Sequence, residues 1–190
     1  MPEKKTNTNS LSIEKSNAQF PDLELVNELV FKPCNFNLKN VEPESESQEY
    51  TAHTFQLANY KILFRKAKIT PTKTGQFVTL WKRNEEGITT PFEINDDFDY
   101  FIIVTKTATN FGVFIFPEII LQEHQILSDQ SKVGKRGIRV YPSWDETTNK
   151  QAQKTQIWQT KYFLDLSDIK KIDMVRAKNL LSMESDFSKR

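Results

Sequence analysis

The chain has 190 residues, of which 37% are hydrophobic and 27% charged, with a formal net charge of +1 at pH 7. Fourteen phenylalanines supply the bulk for a domain-sized core, and five glycines with eight prolines exclude a low-complexity chain. The lone cysteine, Cys34, excludes an internal disulfide, and the longest apolar run, YFIIV at 100–104, is far short of the ~20 residues of a membrane helix.

These features set the expectation of a cytoplasmic protein without membrane insertion. Residues 1–18 are rich in Lys, Thr, Asn and Ser and are expected to form a disordered tail ahead of a single domain over 19–190. MPEKKTNTNS has no apolar segment behind its charges, so no signal peptide is read there.

In chain order, Pro21 suits a first helical position, Asp22 and Glu24 favour a first turn, and Leu23, Val26 and Val30 share a face, which predicts a helix over 21–31. The stretch KPCNFNLKNVEPESESQE, broken by Pro33 and Pro43, reads as a linker, and a short helix is expected from about Glu46 through YTAHTFQL. Four strands follow at 60–69, 76–83, 99–106 and 112–117, rich in β-branched and aromatic residues and separated by turn residues such as Pro71, Gly75 and Gly87. In the second of these, Phe77, Thr79 and Trp81 alternate with Val78 and Leu80, so both faces carry apolar bulk, as in a central strand. Pro117 opens a short helix, 137–142 reads as a fifth strand, and Ala152, Gln156, Gln159 and Phe163 keep helical spacing over 149–163. A last helix is expected near Asp168, capped by Ser167. Strands in succession followed by a strand and helices make an α+β domain.

The near-neutral net charge conceals a segregated pattern. Residues 50–84 hold seven basic residues and no acid, whereas 85–105 hold six acids and no base. Such blocks either cancel across a sheet or produce local fields that meet a charged partner. Within AKITPTKTGQFVTLWKR at 67–83, Lys73 falls near a turn among Thr70, Thr72 and Thr74, a set of donors suited to phosphate oxygens. KVGKRGIRVYPSW adds Lys135, Arg136 and Arg139, with Gly134 and Gly137 expected to let backbone approach a ligand. Lys150, Lys154 and Lys161 share a helical face with Trp158, and aromatics beside cations suit stacking on bases. Taken singly, Trp81 and Trp158 read better as core residues; taken together, the basic clusters favour anion binding.

Other chemistry has weaker support. One cysteine and two histidines, His53 and His124, lack the spacing of zinc ligands, so no metal or cofactor is expected. GKRGIR lacks the spacing of a phosphate-binding Walker loop, and no nucleophile elbow is visible.

At AKITPTKTGQFVTLWKR, GKRGIRVYPSWD and QAQKTQIWQTKYFL the sequence strongly resembles the bacterial MepB family, over roughly residues 20–166. The resemblance implies a PD-(D/E)xK endonuclease-like core, with a mixed central sheet of about five strands flanked by helices, and nucleic acid as partner. Enzymes of that class hold Mg²⁺ between an Asp at one strand end and an acid two positions before a Lys on the next. Here Asp96, Asp97 and Asp99 precede YFIIV, but FGVFIF has neither acid nor lysine, and FVTLWKR keeps Lys82 with Leu80 in the acid's place. The expectation is a nuclease-like scaffold that binds DNA or RNA without cutting, through Arg65, Lys68, Lys73, Lys82, Arg83, Lys135, Arg136, Arg139, Lys154 and Trp158. Two alternatives stand beside it: a Mg²⁺-dependent nuclease built from Asp97, Asp99, Glu118 and Lys82, and a regulatory module whose charged blocks meet a protein partner. Such scaffolds often pair, which leaves a homodimer open.

Overall fold

The computed structural model describes residues 20–182. The tail expected at 1–18 lies outside them. The first helix, α1 (Pro21–Val26), has Pro21 at its start and Asp22 and Glu24 in its first turn, and it runs on as a wider turn through Phe31. Asn35, in the left-handed region at φ 65°, ends it.

The supposed linker contains a strand, β1 (Leu38–Pro43), and the helix expected from Glu46 is a single turn at Gln48–Tyr50 followed by β2 (His53–Leu57). In HTFQL the alternation of buried and half-buried positions is the period of a strand, and it decides the segment against a helix. Next come β3 (Tyr60–Lys66), β4 (Lys68–Thr70), β5 (Lys73–Thr79) and a ribbon of β6 (Trp81–Arg83) with β7 (Thr89–Pro91). The expected strands 60–69 and 76–83 are therefore each broken in two, at Ala67 and Leu80. β8 (Tyr100–Lys106), β9 (Phe111–Pro117), α2 (Glu118–Glu123) and β10 (Gly137–Val140) lie where they were expected. The described residues end with α3 (Lys150–Gln159), a short strand β11 (Phe163–Asp165) and α4 (Met174–Leu181). Asp173, not Ser167, caps α4, its carboxylate accepting from the Arg176 N–H at 2.9 Å.

The fold is α+β, with a mixed sheet of six strands, one more than expected, in the order β1-β2-β3-β8-β9-β11. Only β3 and β8 run parallel within it. β8 and β9 are buried on both faces, so alternate residues feed two cores. Tyr100, Ile102, Val104, Val113 and Ile115 join α1 and α4 on one side. Phe101, Ile103, Phe114 and Phe116 join α2 and a second sheet on the other. That second sheet has the order β10-β5-β4, which puts β5 at its centre.

One charged side chain joins the two sheets. Arg65 of β3 is 1% exposed, on the face opposite Phe64. Its guanidinium donates to the Thr79 carbonyl (2.9 Å), the Thr79 and Ser47 hydroxyls (3.0 and 3.1 Å) and the Glu44 carboxylate (2.7 Å). The rings of Phe92 and Phe101 lie beneath it, 5.6 and 5.8 Å from the guanidinium carbon. Burial, chiefly, lowers its pKa from the ordinary guanidinium value, and Glu44 opposes this. Arg65→Met should cost about 3–5 kcal/mol in urea unfolding, because Glu44 loses its buried counter-charge. Adding Glu44→Gln should return part of that loss. A cost below about 1 kcal/mol would show that the pair does not join the sheets.

Candidate functional site

The second sheet, the segment just after α2, and α3 line an open cleft of about 620 Å³. Three basic residues line it, Lys73, Lys135 and Arg139, with His124, Tyr141, Trp158 and the hydroxyls of Thr72, Thr74, Thr148 and Thr155. Among the described residues no Asp or Glu lines it.

Each wall has a local cause. Lys73 stands at the tip of the β4–β5 hairpin, where the register slips between Ile69 and Thr70. Arg139, paired with Phe77 in the β10–β5 ladder, reaches back to that tip. Its guanidinium donates to the Gly75 carbonyl at 2.9 Å and the Thr70 hydroxyl at 3.0 Å. Gly75 takes φ +82°, and the Tyr141 ring closes over it at a distance that leaves no room for a Cβ.

The opposite wall is α3, and polar side chains dock it. Gln159, 1% exposed, accepts from the Tyr141 N–H at 2.9 Å and donates to the Arg139 carbonyl at 3.0 Å. Gln156 donates to the Pro142 and Asp145 carbonyls, both at 2.8 Å. Asn149 caps the helix by accepting from the Ala152 N–H at 2.8 Å, and the N-terminal turn faces the cleft through Thr148, Asn149 and Gln151. The positive end of the helix dipole adds to the field of the lysines.

Gly134 and Gly137 were expected to let backbone approach a ligand. Instead they approach the protein itself: a Cβ on Gly134 would lie 2.5 Å from the Ile126 carbonyl oxygen, and one on Gly137 2.6 Å from the Phe77 ring. With the Lys135 N–H donating to Ile126 at 2.8 Å, this close packing holds Lys135 at the cleft.

Trp158 lines the cleft but offers little free ring face. Phe116 lies 5.4 Å from it, and the His124 imidazole stacks on it at 3.8 Å and 14°. His124, missed as a site residue because it sits 34 positions away in the chain, lines the cleft beside it. Burial, chiefly, holds its pKa below the ordinary imidazole value; Glu123 opposes this, and Lys135 and Lys161 add to it.

The structure thus brings together Lys73, Lys135, Arg139 and Trp158. The other expected contacts are distributed elsewhere. Arg65 is a correction: it is buried between the sheets, out of reach of any phosphate. Lys68 pairs with Glu49 at 2.7 Å and lies over the Tyr50 ring. Lys82 pairs with Asp96 and, at 3.7 Å, with Glu93, while Arg83 pairs with Glu46 at 2.5 Å. Most of the basic block is therefore answered by neighbouring acids. Arg136 and Lys154 are exposed and, like Lys73 and Lys135, join no ion pair among the described residues.

Two of the acids considered for a metal site, Asp97 and Asp99, have partners of their own. Asp97 pairs with Lys61, and the Asp99 carboxylate accepts from the Lys61 backbone N–H at 2.6 Å. Burial and the nearby Asp99 and Asp96 carboxylates push the Glu118 pKa up. Among the described residues no three His, Cys, Asp or Glu side chains are grouped to hold a metal ion. No helix there is long and apolar enough to cross a membrane.

A sequence model described as MepB-like matches residues 44–165. Among solved structures, the chain is similar to the crystal structure of MepB, with 38% identity and a TM-score of 0.67 over 69% of this chain and 88% of that one. It is also similar to a bacterial homing endonuclease, with 12% identity and a TM-score of 0.40 over 72% of this chain and 84% of that one. That overlap carries no argument about chemistry. No curated protein matches.

The tip of the hairpin gives a test of how the cleft is built. Gly75→Ala combines a strained φ with a contact against Tyr141 and the Arg139 side chain, and should cost about 1–3 kcal/mol in thermal or urea unfolding. A neutral result would mean that Tyr141 and Arg139 do not fix the tip.

Proposed function

The chain belongs to the MepB-like family, and from that premise we propose that it binds nucleic acid, DNA or RNA, by its phosphates and with weak sequence preference. Lys73 and Lys135 make the principal contacts in the cleft. One observation carries the reading. Lys68, Lys82 and Arg83 are ion-paired, whereas Lys73 and Lys135 share a cleft with no acid among the described residues. Gathering like charge without a counter-ion is unfavourable unless an anion arrives to answer it.

The surroundings suit a phosphate. Threonine hydroxyls from the hairpin tip and from the start of α3 flank the lysines as hydrogen-bond donors. The helix terminus favours negative charge. Arg139 has another task, because its N–H groups hold the hairpin tip; it contributes field and orients Lys73. Arg136 and Lys154, exposed and next in sequence to the cleft residues Lys135 and Thr155, are further candidate contacts.

The test is affinity for labelled oligonucleotides measured across a salt series. Lys73→Ala/Lys135→Ala should weaken binding at least about tenfold at low salt. It should also flatten the slope of log K against log salt by about 1.4–1.8, the share of two phosphate contacts. Lys68→Ala/Arg83→Ala, which removes ion-paired cations, should stay within about twofold of the parent. Equal losses in the two double variants would sink the assignment of the cleft.

A further inference from the structure

The cleft contains a titratable ring that phosphate binding must affect. His124 ends α2, and its imidazole lies flat on Trp158. The charged groups around it are unbalanced. Glu123 from its own helix favours the proton; Lys135 from the loop before β10 and Lys161 from the turn after α3 oppose it, and Lys73 and Arg139 share the cleft. Burial disfavours the charged ring further, so the surroundings in the free protein favour the neutral ring.

An anion in the cleft reverses that balance. A phosphate between Lys73 and Lys135 offsets the charges that repel a proton from His124. The face of Trp158 is itself a favourable seat for a cation. We propose that His124 is a further phosphate-facing cation of the cleft, charged only when nucleic acid is bound, so that binding takes up a proton from solvent. The inference rests on the cleft being the nucleic-acid site. By linkage, a group whose pKa rises on binding makes affinity increase as pH falls.

The chain suits the experiment because it has only two histidines. The other, His53, is buried against Phe20 and Phe64 in the core on the opposite face of the main sheet. The probe is a thymidine oligonucleotide with a 5′-hydroxyl, which has no terminal phosphate or base that titrates near neutrality. At constant ionic strength its affinity for the parent protein should rise about fivefold or more from about pH 7.5 to about pH 5.5. In His124→Gln the affinity should be flat over that range. Calorimetry of the parent near pH 6.5, in two buffers of different ionisation enthalpy, should register proton uptake that the variant lacks.

Flat affinity in the parent, or a pH dependence that survives His124→Gln, would overturn the proposal while leaving the cleft as the binding site. If the oligonucleotide fails to bind at any pH in low salt, the nucleic-acid reading falls, and this inference with it.

Discussion

A buried guanidinium must have its hydrogen bonds and its counter-charge supplied by the protein, or the fold loses several kcal/mol. Arg65 meets that requirement by gathering partners from separate parts of the chain: Glu44 and Ser47 before β2, and Thr79 at the end of β5. Satisfying one side chain of the main sheet therefore fixes where the second sheet sits. The cleft depends on that placement, since its hairpin wall is part of the second sheet. Removing one partner alone leaves the other charge uncompensated, so the pair holds its surroundings in place only while both members are present.

The cleft is assembled largely by polar side chains serving as connectors. Arg139 holds the hairpin tip, Gln159 and Gln156 dock α3, and Gly134 allows the Lys135 loop to lie against Ile126. Arg139, Gln156 and Gln159 each reach backbone groups, so the elements that carry the lysines are held by hydrogen bonds with fixed directions. That rigidity matters for a site that holds like charges together: a loose wall would let Lys73 and Lys135 move apart and dissipate their field.

Strand existence was legible wherever β-branched and aromatic residues ran together between turn residues, as in β5, β8 and β9, and the class of fold followed from element order. β1 was missed because LKNVEP lacks apolar alternation and sits at the sheet edge, paired on one side only. The site was legible in part. Lys73, Lys135, Arg139 and Trp158 were found from clustering of charge and aromatics, and the structure brings them together. Arg65 was misread because a strand's basic residue carries no sign of whether its neighbours on the next sheet will bury it. The acids that answer Lys68, Lys82 and Arg83 lie from 11 to 37 positions away, and sequence cannot pair charges over such separations without the fold. His124 escaped for the same reason, since its stacking partner comes from another helix.

Gln159 has a consequence for assembly. β10 is the terminal strand of the second sheet, with β5 on one side and no strand on the other. The carboxamide of Gln159 occupies that open side, bonding the Arg139 carbonyl and the Tyr141 N–H as a neighbouring strand would. A strand edge left bare is a template on which other chains add and aggregate. By pairing part of that edge with one side chain of α3, the protein leaves fewer backbone groups there on which another strand could add.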